Sequence, residues 1–178
     1  MEHRKETVVS ISTWKMQVYL FLLAIVMIIA VQFVHALLFD EVVLQITLSG
    51  LGLFTVAMII IVCLHEAIHL LGFRYIGGVP RKELAWGFNW KLGVAYAHAK
   101  KSITVEEMKK VLLLPLIPTG ILPLIVGIAM NFPAISVLGV LLTVGSFGDL
   151  VLYHKLRKLP NDALVLDHPT KPQFTVYE

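Results

Sequence analysis

The stretch "CLHEAIHLLGF" (residues 63–73) places two histidines and a glutamate at the end of a long apolar run. His65 and His69 are four residues apart, so on a helix they share one face and both imidazoles can reach a single ion. Glu66, between them, completes an HExxH pattern and can serve as general base towards a water activated by that ion. Zn²⁺ suits the role because it lowers the pKa of bound water to about 7. A pair of hydrogen-bonded core histidines is the alternative reading. Within an apolar segment long enough to cross a bilayer, however, ionisable groups are costly and mark function by default.

A catalytic zinc site takes three protein ligands and keeps one position open. The third donor is expected at similar depth on another segment. His65 and His69 precede the basic end of their segment at Arg74 by roughly 13 and 8 Å of helix rise, and Asp149 precedes Lys155 by roughly 9 Å. Asp149 lies in "GSFGDL" (145–150), where small residues would let helices approach closely. His154 is the rival but sits nearer the interface, and Asp162 and Asp167 would need the tail to fold back. His35, towards the opposite membrane face, is expected to snorkel or cap. Asp149 is the expected third ligand.

Four segments could position these groups: about 14–39, 42–73, 111–130 and 134–153. Each reaches the ~20 apolar residues that a membrane-spanning helix requires, and the second is long enough to tilt or extend past the membrane. Hydrophobic residues make up 57% of the 178-residue chain and the mean hydropathy is +0.81, above the ~45–50% apolar content of soluble domains. The single cysteine, Cys63, excludes an internal disulfide and an all-thiolate metal site and is expected to be a small buried side chain. The first segment is too long, and lacks a small-residue cleavage site, for a removable signal peptide. The joins "DE" (40–41) and "NFP" (131–133) are short enough to make antiparallel hairpins.

All 15 Lys and Arg fall before or at the start of the first segment, between the second and third, or after the fourth. The positive-inside rule then places both termini and the central loop of a multi-pass cell-membrane protein in the cytoplasm. No internal repeat supports a transporter built from repeats, and no nucleic-acid partner is expected.

In the central loop, about 82–100, "LAWGFNW" alternates Leu84, Trp86, Phe88 and Trp90 against Ala85, Gly87 and Asn89, and "GVAYAHA" alternates again. That is strand periodicity and suggests an interfacial β-hairpin turning at Lys91-Leu92. Such an edge could hold a substrate extended, because peptide bonds inside a helix are shielded; a hairpin that only caps the helices is the alternative. His98 could stabilise a developing oxyanion, or it could simply be solvated surface. Thr104 and Glu107 form a capping-box signature for a helix start. Pro115, Pro118 and Pro123 interrupt the third segment, which makes either a packing kink or a hydrated path. Within the cytoplasmic tail, 155–178, residues 160–178 are too short for a domain and are expected to fold against the hairpin.

"HEAIHLLGF", the strand-like loop, "LLLPLIP", "GSFGDL" and the ending "LVLDHPTKPQFTVYE" together resemble a family of small bacterial membrane proteins described as "putative zincin peptidases", of DUF3267 type. The resemblance covers roughly residues 60–178. A more distant similarity is to the site-2 protease class, whose Asp-Gly ligand motif is not reproduced here. The resemblance implies His65, His69 and Asp149 as zinc ligands with Glu66 catalytic.

The expected fold is an all-α membrane protein of four transmembrane helices with a small cytoplasmic interfacial β-hairpin, forming one integral membrane domain over residues 1–178. The expected function is a zinc-dependent intramembrane or membrane-interface endopeptidase that acts on a peptide or membrane-protein substrate within the lipid bilayer. The competing readings are a non-catalytic zinc-stabilised membrane interaction protein and a small transporter.

Overall fold

The computed structural model describes residues 5–11, 13–40, 47–90, 94–168 and 173–178. In chain order these form β1 (Glu6–Ser10), α1 (Thr13–Phe39), α2 (Leu48–Tyr75), β2 (Leu84–Asn89), β3 (Val94–Ala99), β4 (Ile103–Thr104) and α3 (Val105–Leu113). A π-helical turn (Leu116–Ile121), α4 (Leu122–Ala129), α5 (Pro133–Gly145), α6 (Phe147–Leu156), β5 (Leu164–Asp167) and β6 (Gln173–Tyr177) follow. The Lys91-Leu92 turn, residues 42–46 and Glu41 lie outside the described residues.

Among the described residues, four helical stretches are long and apolar enough to cross a membrane: Trp14–Phe39, Leu48–Tyr75, Val105–Ala129 and Pro133–Leu156. The second leaves only 6% of its most apolar window buried, so residues such as Leu53, Ile59 and Ile60 need an apolar surrounding that the chain itself does not supply. Cys63 belongs to this exposed helix surface and is not the buried side chain expected.

The chain divides into two compact units. One comprises Trp14–His65 and Pro115–Phe147. In it α4 and α5 form the hairpin expected from "NFP", with Asn131 in the left-handed conformation at φ 50°. The two helices approach so closely that a Cβ on Gly127 would strike Ser136, and one on Gly139 would strike the backbone of Leu124. Val31, Val140 and Val144 form its small buried core. His35 is buried here rather than snorkelling. Its Nε2 lies 2.8 Å from Ser136 Oγ and its Nδ1 3.1 Å from Asn131 Oδ1. Side chains on a neighbouring hairpin satisfy both ring nitrogens, so the imidazole gains nothing by reaching for the interface.

The other unit comprises Met1–Thr13, Glu66–Leu114 and Gly148–Glu178. Its core gathers Phe73, Val105, Met108, Val111, Leu156, Val165 and Val176, several of them with no exposed surface. Burial of each such side chain contributes about 1.5–3 kcal/mol. The hairpin β2–β3 is present and antiparallel, pairing Trp86 with Ala97 and Phe88 with Ala95.

The all-α expectation is incomplete: a second, four-stranded antiparallel sheet runs in the order β1-β6-β5-β4. The tail folds into this sheet, pairing Thr7 with Val176 and Val165 with Ile103. Its strands are two to five residues long; β1 pairs with β6 and β4 with β5 across long stretches of intervening chain, so no turn residue advertises those two pairings. Once paired, β6 shows the alternation of a half-buried strand, with Phe174 and Val176 inward.

The third stretch starts at Val105 rather than near Val111. Thr104 caps it, accepting from Glu107 N at 3.2 Å while Thr104 N donates to Glu107 Oε2 at 2.8 Å. The fourth extends to Leu156 and is interrupted at Ser146, whose hydroxyl bonds the Leu142 carbonyl at 2.9 Å.

Candidate metal centre

His65 and His69 both point from one face of α2 and both are buried. Regular helix geometry carries the two rings to the same side, one turn apart. The proline-interrupted third stretch provides the partners of their outer nitrogens. Pro115 and Pro118 cannot donate to the helical ladder, and the chain answers with the π turn at 116–121. That turn presents Thr119, with no exposed surface, so that Thr119 Oγ1 lies 2.9 Å from His65 Nδ1. The same hydroxyl donates to the Pro115 carbonyl at 2.7 Å. Its proton is thus committed, and it accepts from His65 Nδ1–H.

His69 Nδ1 donates to the Val111 carbonyl at 3.1 Å. Gly72 lies alongside: an added Cβ there would stand 3.2 Å from both Val111 methyl groups, so the helix backbones are already close. Both rings are therefore held through Nδ1, which leaves Nε2 as the coordinating nitrogen of each. This is the supporting pattern that orients histidine ligands of metals. Pro115 is legible in the sequence as a break in the third segment, whereas the parts played by Thr119 and Val111 are not; the one mark of Thr119 is a hydroxyl between prolines in an otherwise apolar run.

Asp149 meets the histidines from α6. The interruption at Ser146 starts a new helical segment at Phe147 and puts Asp149 in its first turn, where a negative charge is favoured by the helix dipole. Its Oδ2 lies 3.5 Å from His69 Nε2. Close packing at Gly145 is not the reason for the small residues, since an added Cβ there would meet nothing within 4 Å. One ligand atom from each of His65, His69 and Asp149 lies within 4.8 Å of the others.

With Nδ1 of each ring engaged by Thr119 or Val111, two imidazole nitrogens and a carboxylate oxygen converge as nitrogen and oxygen ligands of the kind zinc takes. A divalent cation satisfies all three at once, so the residues fit Zn²⁺. Glu66, half-buried on the same turn of α2, is not among the three converging groups.

His98 does not join this group. It is buried rather than solvated, and its Nδ1 lies 3.3 Å from Asp167 Oδ2, within ion-pairing reach but out of line for a hydrogen bond from that nitrogen. The tail thus folds back, as an aspartate from it would require, but Asp167 goes to His98. Burial pushes the Asp167 carboxyl above its usual range, against the opposing effect of His98 and of backbone N–H groups of His168 and Ala99. His154 and Asp162 are exposed. On the hairpin, Trp86 and Phe88 share an exposed face, and Trp90 follows them, exposed and edge-on to Phe88 at 4.7 Å between ring centroids.

A profile of the family described as "Putative zincin peptidase", DUF3267, matches residues 58–164, more than half of the chain. A protein of Pyrococcus woesei, named "Uncharacterized 24.7 kDa protein in gap 5'region", is 27% identical over 116 residues. That match covers 64% of this chain and 50% of the relative, so the chain spans about half the length of the relative. No solved structure matches. With the family's matched region carrying His65, His69 and Asp149 together, the chain belongs to the DUF3267 family, the one described as "Putative zincin peptidase".

Proposed function

We propose that this protein is a zinc-dependent endopeptidase of the membrane, hydrolysing peptide bonds within or at the surface of the bilayer. The observation that carries the reading is the convergence of His65, His69 and Asp149 on apolar helical stretches. Three donors with a carboxylate next in sequence suit a catalytic site, whereas a structural zinc is usually enclosed by four ligands. Charge placement supports insertion with both termini and the central loop in the cytoplasm.

In this mechanism His65, His69 and Asp149 hold the ion. Zn²⁺, when bound, supplies Lewis-acid polarisation of the scissile carbonyl and a water that ionises near neutral pH. Glu66 accepts the proton of the attacking water and delivers it to the leaving amine. Thr119 and the Val111 carbonyl keep both imidazoles in one tautomer and orientation, so the ligands need no rearrangement during turnover. His98, engaged with Asp167, positions β3 against the tail rather than acting on the substrate.

The test is hydrolysis of a fluorogenic peptide by purified protein, with zinc measured by elemental analysis. Glu66→Gln should retain zinc and lose hydrolysis by at least about a hundredfold, within the range expected of general acid–base catalysis. Full activity in that variant overturns the mechanism.

A further inference from the structure

Among the described residues the four-stranded sheet has two edges, and the chain's own groups cover them to different extents. At β4 the outward N–H of Thr104 is taken by Glu107 Oε2. At β1 the ladder parity follows from two bonds. Glu178 N donates to Lys5 O at 3.0 Å and His168 N to Gln173 O at 3.0 Å. In an antiparallel pair, hydrogen-bonded positions alternate, so Lys5, Thr7 and Val9 bond towards β6. Glu6, Val8 and Ser10 therefore turn their peptide groups outward, and the Lys155 ammonium donates to the Ser10 carbonyl from that outer side.

A groove of about 340 Å³ runs along this edge, lined by Val8 and Ser10 from the strand and by His154, Lys155, Lys158 and Leu159 from the end of α6 and beyond. Val8 is 59% exposed there. Edge strands invite pairing with a further strand, and lysines beside one select what may pair.

We propose that the outer edge of β1, with the basic turn ending α6, docks an extended, acidic polypeptide segment by strand addition. The occupant would bond the outward peptide groups of Glu6 and Val8 and set its carboxylates against Lys158, His154 and Lys155 at the Ser10 end. Glu6 at the other end disfavours acid there, which gives the docked segment a direction. A phospholipid headgroup could meet the lysines but has no repeating donors and acceptors to match a strand edge. Lys155 is six residues beyond Asp149, roughly 9 Å of helix rise, so the groove is a docking site apart from the metal ligands. As the cargo of such a site the segment would belong to a peptidase client, and to that extent the inference rests on the proposed function.

The test uses full-length Glu66→Gln protein in phosphatidylcholine nanodiscs, so that no probe is cut. Anisotropy reports binding of a labelled octapeptide alternating valine and glutamate, its lysine counterpart, and the acidic peptide with N-methylated backbone. The acidic peptide should bind at least tenfold tighter than either of the others. Val8→Pro should weaken it at least tenfold; the Val8 N–H takes no part in pairing with β6, and proline is tolerated on an outer edge. Val8→Thr, with an unchanged melting temperature, should bind normally, and Lys158→Glu should reverse the charge preference. No binding, or acidic binding that ignores Val8→Pro and N-methylation and is competed by phosphatidylglycerol vesicles, overturns the proposal. Docking lost with wild-type hydrolysis intact removes only the groove; hydrolysis absent with docking intact removes only the peptidase reading.

Discussion

The Nδ1 of His65 lies 2.9 Å from the hydroxyl of Thr119, which itself donates a hydrogen bond to the Pro115 carbonyl at 2.7 Å. A threonine in an irregular turn thereby sets the tautomer of a histidine in a regular helix. Thr119→Val keeps the shape and removes the acceptor. Zinc affinity, measured by competition with a chromophoric chelator, should fall roughly 10–100-fold, and Thr119→Ser should restore it. Unchanged affinity in the valine variant would show that the hydroxyl does not support a ligand.

Asp149→Asn removes the negative charge while leaving the side chain nearly the same size. With Oδ2 3.5 Å from His69 Nε2, the loss should reach the metal directly. The variant should purify with little zinc, and a chelator that lowers the wild-type melting temperature should leave this variant's unmoved, because a ligand stabilises only the state that binds it. Equal zinc content in both proteins would remove Asp149 from the site.

Gly139→Val tests the helix hairpin. A Cβ at Gly139 collides with the backbone of Leu124, which cannot step aside as a flexible side chain could. Overpacking of this kind costs about 1–3 kcal/mol or more. The melting temperature in detergent should drop by several degrees, whereas Gly145→Ala, which meets open space, should change it little. Similar melting of both variants would contradict the close approach.

Asp167 ties pH to the sheet. Burial raises its carboxyl pKa above the ordinary value, with His98 pulling the other way. For an acid whose folded pKa is raised, the folded state binds the proton more tightly. Its contribution to stability is greatest below the ordinary carboxylate value and is lost as pH rises through the raised one. Asp167→Asn can still accept from the His168 and Ala99 N–H groups but does not titrate. The wild-type-minus-variant difference in melting temperature should therefore decline as pH rises across that window. A difference constant with pH would show that the carboxyl is not perturbed in the folded protein.

The sequence by itself determined the helical stretches, the face shared by His65 and His69, the Thr104–Glu107 cap and the β2–β3 hairpin. Each rests on a local period or a spacing of a few residues. Asp149 could be matched to the histidines by depth because helix rise is constant. Only the tertiary structure decided the partners: Thr119 and Val111 behind the histidines, Ser136 and Asn131 around His35, Asp167 rather than solvent beside His98. The same holds for the sheet that joins "ETVVS" to "QFTVY". Strand pairing and buried hydrogen bonds are settled by which distant groups must be satisfied once water is excluded, and no local pattern along the chain encodes that choice.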